Sequence, residues 1–396
     1  MKISTDEKII NRILNKAVEE ILPSKEAFKE LLMSGKRISV YQGFDPTAPT
    51  LHIGHTIMMR KLEDIRKLGH RVIFLIGDFT ARIGDPTDKK AARVKLSAQQ
   101  IKENLKQYTE QASHIIDMNN KENPVEVLFN NDWLGKLTFE ELIELASHFT
   151  VQQMIKRSMF QKRLDEDKPI YLHEFLYPLM QGYDSVAMDV DAELGGNDQL
   201  FNMLAGRTLM QELKGKNKFV ISGKLLTTPD GIKMGKSEGN MIMLSDTAEN
   251  IYGKVMAMPD SQIVEGFELL TTYELDQVGE VEKQLKSGTN PIELKKKLAH
   301  QITLEIKGEE DAKKAQKYFE EVFQNKKYEV ELEEKNLKDK ILIEALVDEC
   351  IVSSKSEVRR LMEQGAIKID DKAVIDTNKR IEGSVLKIGK KVFKIV

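Results

Sequence analysis

Residues 38–55 read ISVYQGFDPTAPTLHIGH, and this stretch contains the change of pattern that decides the fold. Its first part, ISVYQGF, alternates in polarity as a strand does, and Asp45-Pro46 then marks a loop. From Ile53 to Leu68 the apolar residues follow a helical period, which Gly69 closes. A strand, a short loop and a helix together form the repeating unit of parallel α/β sheets.

The same alternation continues further along the chain. Arg71 to Gly77 reads RVIFLIG, a short apolar run typical of a parallel strand buried on both faces. Other patterns predict helices over 1–36, 97–116 and 138–183, and strands over 125–129, 186–194 and 219–222. We therefore predict an α/β fold with a Rossmann-like parallel sheet, interrupted by a helical insertion at about residues 130–185.

Beyond residue 245 the predicted architecture changes. We predict a catalytic domain over 1–245, an α-helical domain over 246–325, a linker over 326–338 and a small α+β domain over 339–396. The linker stretch is charged and aperiodic, which is why it separates the two C-terminal segments. Residues 338–396 carry a net charge of +3, whereas the whole chain carries −3.

The composition limits the class of protein. No apolar run reaches the roughly eighteen residues that a membrane-spanning helix needs. The N-terminus is polar and amphipathic and lacks an apolar signal core, so we expect a cytoplasmic protein. The single cysteine, Cys350, rules out a disulfide framework. The 60 basic and 63 acidic residues nearly balance, so a nucleic-acid partner would need a local basic patch.

Residues 51–55, LHIGH, place two of the seven histidines one turn apart at the predicted helix start. The free N–H groups and the dipole of a helix N-terminus attract phosphate, and Gly54 lets a flat group approach the backbone. His52 and His55 would then reach the same phosphates. A capped helix with two partly buried histidines explains this motif alone equally well. A zinc site has less support because no third soft ligand lies nearby in the sequence.

Residues 229–237, PDGIKMGKS, form a second candidate phosphate-binding segment. Lys233 and Lys236 lie between glycines, and such a loop can close its lysines over a polyphosphate. A Lys-rich loop by itself is usually just a solvated surface. Its occurrence after LHIGH, beyond the second half of the same predicted sheet, makes the pair of motifs far more specific than either one.

Together the two motifs resemble the signatures of class I aminoacyl-tRNA synthetases, with Gly235 where that family usually carries serine. Four stretches resemble the bacterial tyrosyl-tRNA synthetase family: YQGFDPTAPTLHIGH at 41–55, IGDPTDK at 83–89, YPLMQGYD at 177–184 and ELGGNDQLFN at 193–202. The resemblance covers essentially the whole chain. It implies that L-tyrosine is activated with ATP and Mg²⁺ and then transferred to tRNA(Tyr), without a protein nucleophile or a protein-bound metal.

The resemblance also implies a tyrosine pocket. Tyr177, Gln181 and Asp184 have the spacing of residues on one helix face. The residues at Tyr41 and Asp184 would bind the substrate hydroxyl, and those at Asp85, Tyr177 and Gln181 its ammonium group. The implied tyrosine-binding residues are Tyr41, Asp85, Tyr177, Gln181, Asp184 and Gln199.

An ATP site is implied in the same way. The implied ATP-binding residues are Gly43, Asp45, His52, Gly54, His55, Gly196, Asp198, Lys233, Lys236 and Ser237. Of these, the catalytic residues would be His52, His55, Lys233 and Lys236, because they would stabilise charge that develops on the phosphates. Lys89 and Arg93 suit a second basic loop near pyrophosphate, although solvated surface charges explain them equally well. Glu193 stands where some relatives carry glutamine and receives no role.

The C-terminal segment resembles a small RNA-binding module that is also found in a ribosomal small-subunit protein. The matching stretches are SSKSEVRRLMEQGAIKID at 353–370 and LKIGKKVFKIV at 386–396. By charge alone a solvated face would be favoured, and the resemblance reverses that preference. The implied tRNA-binding residues are Lys355, Arg359, Arg360, Lys390 and Lys391, which would contact phosphates.

Three alternatives differ from this hypothesis in what they require. A tryptophanyl-tRNA synthetase would share the fold and both motifs, but Tyr41, Asp184 and the RNA-binding module argue against it. A small-molecule adenylyltransferase would not need the two C-terminal segments. A non-catalytic RNA-binding protein on the same scaffold would not need to retain the histidines and lysines. The family resemblance further suggests a homodimer formed through the insertion. We expect structural roles for the remaining candidates His114, His148, His173, Trp133 and Cys350.

Overall fold

The computed structural model describes residues 2–86, 97–105, 107–227, 241–324, 333–349, 351–389 and 391–396. The chain divides into two compact units, Met1–Ala312 and Lys313–Val396. The predicted domain boundaries at residues 245 and 325 stay predictions. No helix within the described ranges is long and apolar enough to cross a membrane.

A six-stranded sheet organises the first unit, in the order β1-β6-β5-β2-β3-β4. Its strands are β1 (Val18–Leu22), β2 (Ser39–Phe44), β3 (Arg71–Ile76), β4 (Glu126–Phe129), β5 (Ala192–Gly196) and β6 (Phe219–Gly223). The strands from β6 to β4 run parallel, which confirms the predicted parallel sheet. Since β2 lies between β3 and β5, the connections on its two sides diverge, and such a switch point opens a crevice at the carboxyl ends of the strands.

The edge strand β1 corrects the prediction of a continuous helix over 1–36. Residues 18–22 run antiparallel to β6, with Ile21 opposite Ile221. Ile21 is buried in this strand, and Glu19 and Glu20 are exposed. Five residues of mixed polarity fit a helix or an edge strand equally well. The hydrogen bonds to β6, a strand far along the chain, decide between the two.

Helices connect the strands of this sheet and follow it in the chain. They are α1 (Glu7–Asn15), α2 (Lys25–Met33), α3 (Ile53–Lys67), α4 (Ala98–Leu105), α5 (Tyr108–Ser113), α6 (Asn131–Leu134), α7 (Phe139–Ser147), α8 (Val151–Ile155), α9 (Ser158–Asp165), α10 (Leu172–Met188), α11 (Leu200–Lys214), α12 (Ala248–Met256), α13 (Ile263–Leu270), α14 (Leu275–Lys286), α15 (Pro291–Lys307) and α16 (Glu309–Phe319). The strand predicted from residue 186 begins only at Ala192, because α10 extends to Met188.

The second unit contains a five-stranded sheet in the order β7-β11-β10-β8-β9. Its elements are β7 (Glu333–Lys335), α17 (Leu342–Asp348), α18 (Lys355–Glu363), β8 (Ile367–Ile369), β9 (Lys372–Ala373), β10 (Val385–Ile388) and β11 (Lys391–Ile395). Leu346, Val358 and Leu386 are among the residues of its core. Strand β7 lies within the stretch predicted to be a linker and pairs in parallel with β11.

The turn between α3 and β3 provides a pH-dependent contribution to stability. His70 is fully buried there, and its Nδ1 accepts a hydrogen bond from the backbone N–H of Ile38 at 3.4 Å. Burial, aided by the nearby Arg37 charge, lowers the pKa of His70 to about 4. Folding therefore disfavours protonation of the His70 imidazole. The contribution of neutral His70 to the free energy of unfolding is complete above the unfolded pKa of about 6.5 and is lost as pH falls toward 4.

We expect the free energy of unfolding to fall by about 2 kcal/mol between pH 7 and pH 5 through His70 alone. Urea unfolding at both pH values measures it in the parent chain and in His70→Asn, which keeps an acceptor but does not titrate. The variant should lose that part of the pH dependence. An identical pH dependence in both proteins would contradict the assignment.

Candidate active site

The two histidines of LHIGH lie together at the start of α3. His52 precedes the helix, and its backbone N–H donates to His55 Nδ1 at 3.1 Å. The two imidazole rings stack, with their centroids 3.7 Å apart. A Cβ added at Gly54 would lie 3.1 Å from two atoms of the His52 ring, so glycine leaves room for this arrangement. Both histidines are partly exposed and lie beside helix N–H groups that suit an anion.

The segment that follows the PDGIKMGKS loop is hydrogen-bonded to LHIGH. The backbone N–H of Ile53 donates to the Ile242 carbonyl at 2.9 Å, and that of Leu244 donates to the Leu51 carbonyl at 2.9 Å. At the other end of the loop, Gln262 Nε2 donates to the carbonyl of Thr227. Residues 242–244, which follow that loop in the chain, are thereby held beside the two histidines.

Several predicted residues lie outside the described part of the chain. They are Lys233, Gly235, Lys236 and Ser237 in the loop over 228–240, and Lys89 and Arg93 in the segment over 87–96. Their roles stay predictions.

Helix α10 carries the three predicted pocket residues that share its face. The Tyr177 hydroxyl donates to Asp45 Oδ2 at 2.8 Å. Gln181 Nε2 donates to Glu193 Oε1 at 3.0 Å. Asp184, on the same helix face, is buried. The predicted ammonium partner Tyr177 thus contacts Asp45, which the sequence assigns to ATP.

Asp184 accepts hydrogen bonds on both of its oxygens. Trp133 Nε1 donates to Oδ1 at 2.7 Å, and Asn130 Nδ2 donates to Oδ2 at 3.3 Å. Burial raises the pKa of Asp184 well above its ordinary value, and these two donors oppose that rise. The hydroxyl of Tyr41 lies 2.9 Å from Ser185 Oγ. Tyr41 and Asp184 are predicted to bind the same substrate hydroxyl. Each has its own hydrogen-bond partners, Ser185 for Tyr41 and Trp133 with Asn130 for Asp184.

A second pair of predicted residues meets at the carboxyl end of β5. Gln199 Nε2 donates to Asp85 Oδ2 at 2.7 Å. These two tyrosine-binding candidates therefore lie side by side. Gly196 ends β5, and a Cβ there would meet Asp198 Oδ1 at 2.5 Å, so the carboxylate lies directly over glycine. Gly43 is exposed near the end of β2, the parallel neighbour of β5.

The buried carboxylates and tyrosines of this crevice favour a ligand that carries a positive charge. Burial raises the pKa of Asp45 to about 7, while hydrogen bonds from Thr80 and Tyr177 lower it. Burial also raises the pKa of Tyr41 and of Tyr177 well above 10, and nearby carboxylates add to the rise. Both phenols thus stay protonated and can donate. A ligand with an ammonium group would relieve the repulsion between these carboxylates.

Comparison with known proteins decides the family. The family model described as tRNA synthetases class I (W and Y) matches residues 33–324, well over half of the chain. The chain belongs to the class I tRNA synthetase family. The resemblance inferred from the motifs is confirmed.

Individual relatives and a solved structure support the same family assignment. The tyrosine–tRNA ligase of Thermotoga maritima is 41% identical over 388 residues, covering 96% of each chain. Tyrosine–tRNA ligase 2 of Clostridium acetobutylicum is 42% identical over 394 residues, covering 98% of this chain and 97% of that one. The crystal structure of a C-terminally truncated mitochondrial tyrosyl-tRNA synthetase from Coccidioides posadasii shares the fold, with a TM-score of 0.64 over 79% of this chain and 92% of that one, at 24% identity.

Sequence reasoning missed several residues of this synthetase's crevice. Trp133, for which the sequence predicts a structural role, donates to Asp184, and Asn130 connects Asp184 to Thr80. Both residues follow β4, at the carboxyl edge where ligands bind in parallel sheets. Their position directly after a predicted strand was the only indication in the sequence that they line the crevice, since their residue types alone do not indicate a binding site.

The predicted tRNA-binding residues on α18 are exposed in the second unit. Lys355, Arg359 and Arg360 all have exposed side chains. Lys355 Nζ lies 3.4 Å from Glu344, and Arg360 lies 3.6 Å from Glu357. Lys390 lies outside the described residues, and the side chain of Lys391, the first residue of β11, does too. The described cations suit phosphate, and their role stays a prediction.

Proposed function

We propose that this synthetase is a tyrosine–tRNA ligase: it joins L-tyrosine to ATP and then transfers the tyrosyl group to tRNA(Tyr). The observation that carries the proposal is the burial of Tyr41, Tyr177 and Asp184 in a fold that also places the histidine pair at the start of α3. Phenol and carboxylate partners of this kind suit a substrate that has a hydroxyl at one end and an ammonium group at the other. The relatives described above support tyrosine over tryptophan.

In the first step, a carboxylate oxygen of tyrosine attacks the α-phosphorus of ATP. The bond from the α-phosphorus to the bridging oxygen breaks, and pyrophosphate leaves. Mg²⁺ carried by the nucleotide would help to neutralise the phosphate charge. Positioning and charge stabilisation supply the catalysis, since no covalent protein intermediate is needed. His52 and His55, with Lys233 and Lys236, bind the phosphates as negative charge moves to the departing oxygen. Asp85, Tyr177 and Gln181 hold the ammonium group.

In the second step, a ribose hydroxyl at the 3′ end of tRNA attacks the carbonyl carbon of tyrosyl-adenylate. The ester bond to tRNA forms, AMP leaves, and the hydroxyl proton passes to the departing phosphate or to solvent. Lys355, Arg359, Arg360, Lys390 and Lys391 of the second unit bind phosphates of the same RNA. Charged tRNA is consumed by ribosomes, so we place the activity in the cytoplasm.

We also propose that the insertion pairs with a second copy of the chain. Large apolar side chains are exposed there, including Phe139 at 78%, Val151 at 68% and Leu172 at 83%. An exposed apolar surface of this kind is typical of a protein interface. Sedimentation equilibrium of the parent chain should give twice the monomer mass, and a monomer at micromolar concentration would exclude the pairing.

The test of function is amino-acid-dependent ATP–pyrophosphate exchange with tyrosine, phenylalanine and tryptophan in parallel. Exchange with tyrosine alone, followed by charging of tRNA(Tyr), is the expected result. Exchange with tryptophan would overturn the roles of Tyr41 and Asp184. A folded protein that gives no exchange with any of the three would refute the catalytic proposal.

Replacing His55 by alanine should lower kcat of the activation step about a hundredfold, because one stabiliser of the phosphate charge is lost. The KM for tyrosine should change little, since His55 lies at the phosphate end of the site. Pre-steady-state formation of tyrosyl-adenylate gives both constants. His114→Ala, an exposed histidine outside the crevice, is the control. A His55 variant with normal kcat would remove the histidine pair from the mechanism.

A further inference from the structure

A buried ion pair lies beside the proposed tyrosine pocket, between strands β5 and β6. Lys218 Nζ contacts Glu193 Oε2, and the two side chains are 0% and 2% exposed. Withdrawing both charges from water is costly, and such a pair is often no more stable than apolar residues of the same size. Its presence at this position therefore calls for a reason other than stability.

The pair is linked to two of the predicted tyrosine-binding residues, directly to Gln181 and through Ser185 to Tyr41. Lys218 Nζ donates to Ser185 Oγ at 2.9 Å, and Ser185 Oγ lies 2.9 Å from the Tyr41 hydroxyl. The other oxygen of Glu193 accepts from Gln181 Nε2 at 3.0 Å. A continuous chain of hydrogen bonds thus runs from Gln181 through the ion pair to Tyr41.

The chemistry of the donors sets the direction of this chain. An ammonium group only donates, so Ser185 Oγ accepts from Lys218. Accepting from a cation polarises the serine hydroxyl and strengthens it as a donor. Ser185 then donates to the Tyr41 oxygen, and the Tyr41 proton is left to point away from Ser185. The Glu193 carboxylate also interacts with the Tyr41 hydroxyl.

We propose that Ser185 and Lys218 are positioning residues that orient the Tyr41 hydroxyl as a hydrogen-bond donor to the phenol oxygen of the substrate. Asp184, whose two oxygens already accept hydrogen bonds, accepts a further hydrogen bond from the hydroxyl of that same phenol. Glu193 neutralises Lys218 and fixes Gln181. This inference rests on the proposed function. It explains how the pocket selects a hydroxyl, because phenylalanine would leave an oriented donor and an acceptor without partners.

The helices leave space for this arrangement and little more. A Cβ added at Gly206 of α11 would meet Lys218 Nζ at 2.5 Å and Ser185 Oγ at 2.8 Å. On α10, a Cβ at Gly182 would lie 3.0 Å from the Gly206 nitrogen. The close approach of two glycines lets the lysine end reach Ser185 between the helices.

The first experiment compares Ser185→Ala with Ser222→Ala in ATP–pyrophosphate exchange with tyrosine and with phenylalanine. Ser222 is also fully buried, but its hydroxyl faces the backbone of Glu20 on the far edge of the sheet. We expect Ser185→Ala to lower the tyrosine-to-phenylalanine ratio of kcat/KM about tenfold. The loss should lie in the KM for tyrosine, with kcat nearly unchanged, since the contact is remote from the phosphate. Ser222→Ala should keep the tyrosine-to-phenylalanine ratio of the parent chain. If Ser185→Ala also keeps that ratio, the proposal is overturned.

A second pair of variants separates positioning from folding. Lys218→Met alone leaves Glu193 buried and unpaired, so it should unfold at a lower denaturant concentration. The double variant Lys218→Met with Glu193→Gln removes both charges and should recover the parent midpoint. We expect its tyrosine-to-phenylalanine ratio to stay about tenfold low, because Ser185 is no longer polarised. A double variant with parent stability and the parent ratio would refute the role of the ion pair.

Tyr41→Phe distinguishes a failure of this inference from a failure of the proposed function. If the parent chain gives no exchange with tyrosine, the function is wrong. If Tyr41→Phe keeps the parent ratio, the assignment of Tyr41 to the substrate hydroxyl is wrong, and the inference fails with it. If Tyr41→Phe lowers the ratio while Ser185→Ala does not, the function stands and only the positioning role is refuted.

Discussion

Asp184→Asn is expected to lower kcat/KM for tyrosine about a hundredfold, with a smaller effect on phenylalanine. Each oxygen of Asp184 accepts a hydrogen bond, from Trp133 at 2.7 Å and from Asn130 at 3.3 Å. An asparagine amide has one acceptor oxygen, so its NH₂ group would have to face one of these two donors. The substrate hydroxyl would at the same time lose its acceptor.

Exchange assays with both amino acids measure this effect, and circular dichroism establishes that the variant is folded. Asp189→Asn is the matched control, because it makes the same chemical change at the C-terminal cap of the same helix, where the side chain is exposed. Asparagine also tolerates the positive φ of 49° at that position. Equal loss of tyrosine activity in both variants would show that the effect is not specific to the pocket.

Gly77→Ala is expected to have the largest effect on folding of any single methyl addition near the crevice. A Cβ at Gly77 would lie 1.9 Å from Asp45 Oδ1 and 2.4 Å from Thr80 Oγ1. These two atoms are themselves hydrogen-bonded at 2.7 Å, and Asp45 also accepts from Tyr177. The methyl group must displace Asp45 and so breaks both contacts.

We expect Gly77→Ala to reduce the free energy of unfolding by about 3 kcal/mol and to abolish detectable exchange. Urea unfolding gives the first quantity. Gly279→Ala on α14 is the control: a Cβ there meets nothing within 4 Å, so alanine should stabilise the helix slightly. A Gly77 variant as stable and active as the parent would show that Asp45 is not held as described.

A large part of the fold was predictable because the signals are local. The run RVIFLIG and the helical period after Ile53 depend on neighbouring residues, and both elements are found where predicted, as β3 and α3. The split of the predicted helix over 97–116 into α4 and α5 shows the limit of such signals. A periodic pattern identifies a helix better than it locates its ends or breaks.

The candidate site was predictable only as far as its motifs. The sequence identified Tyr41, Tyr177 and Asp184 as members of one pocket, but it could not identify their neighbours. Trp133 and Ser185 belong to no motif, and their contacts depend on how helices α6 and α10 approach the sheet. The partner of Glu193 was equally hidden, because Lys218 immediately precedes the neighbouring strand β6 and belongs to no recognisable pattern.

By itself, the sequence determined the parallel α/β class, the positions of the two phosphate-binding motifs and the family. Each of these depends on the spacing of residues within short segments. Tertiary structure alone decided that residues 18–22 form an edge strand, that Asp184 is held by two nitrogen donors, and that Lys218 reaches Tyr41 through Ser185. These contacts join residues far apart in the chain. They are set by strand order and helix packing, since a buried polar group must find its partner wherever the fold places one.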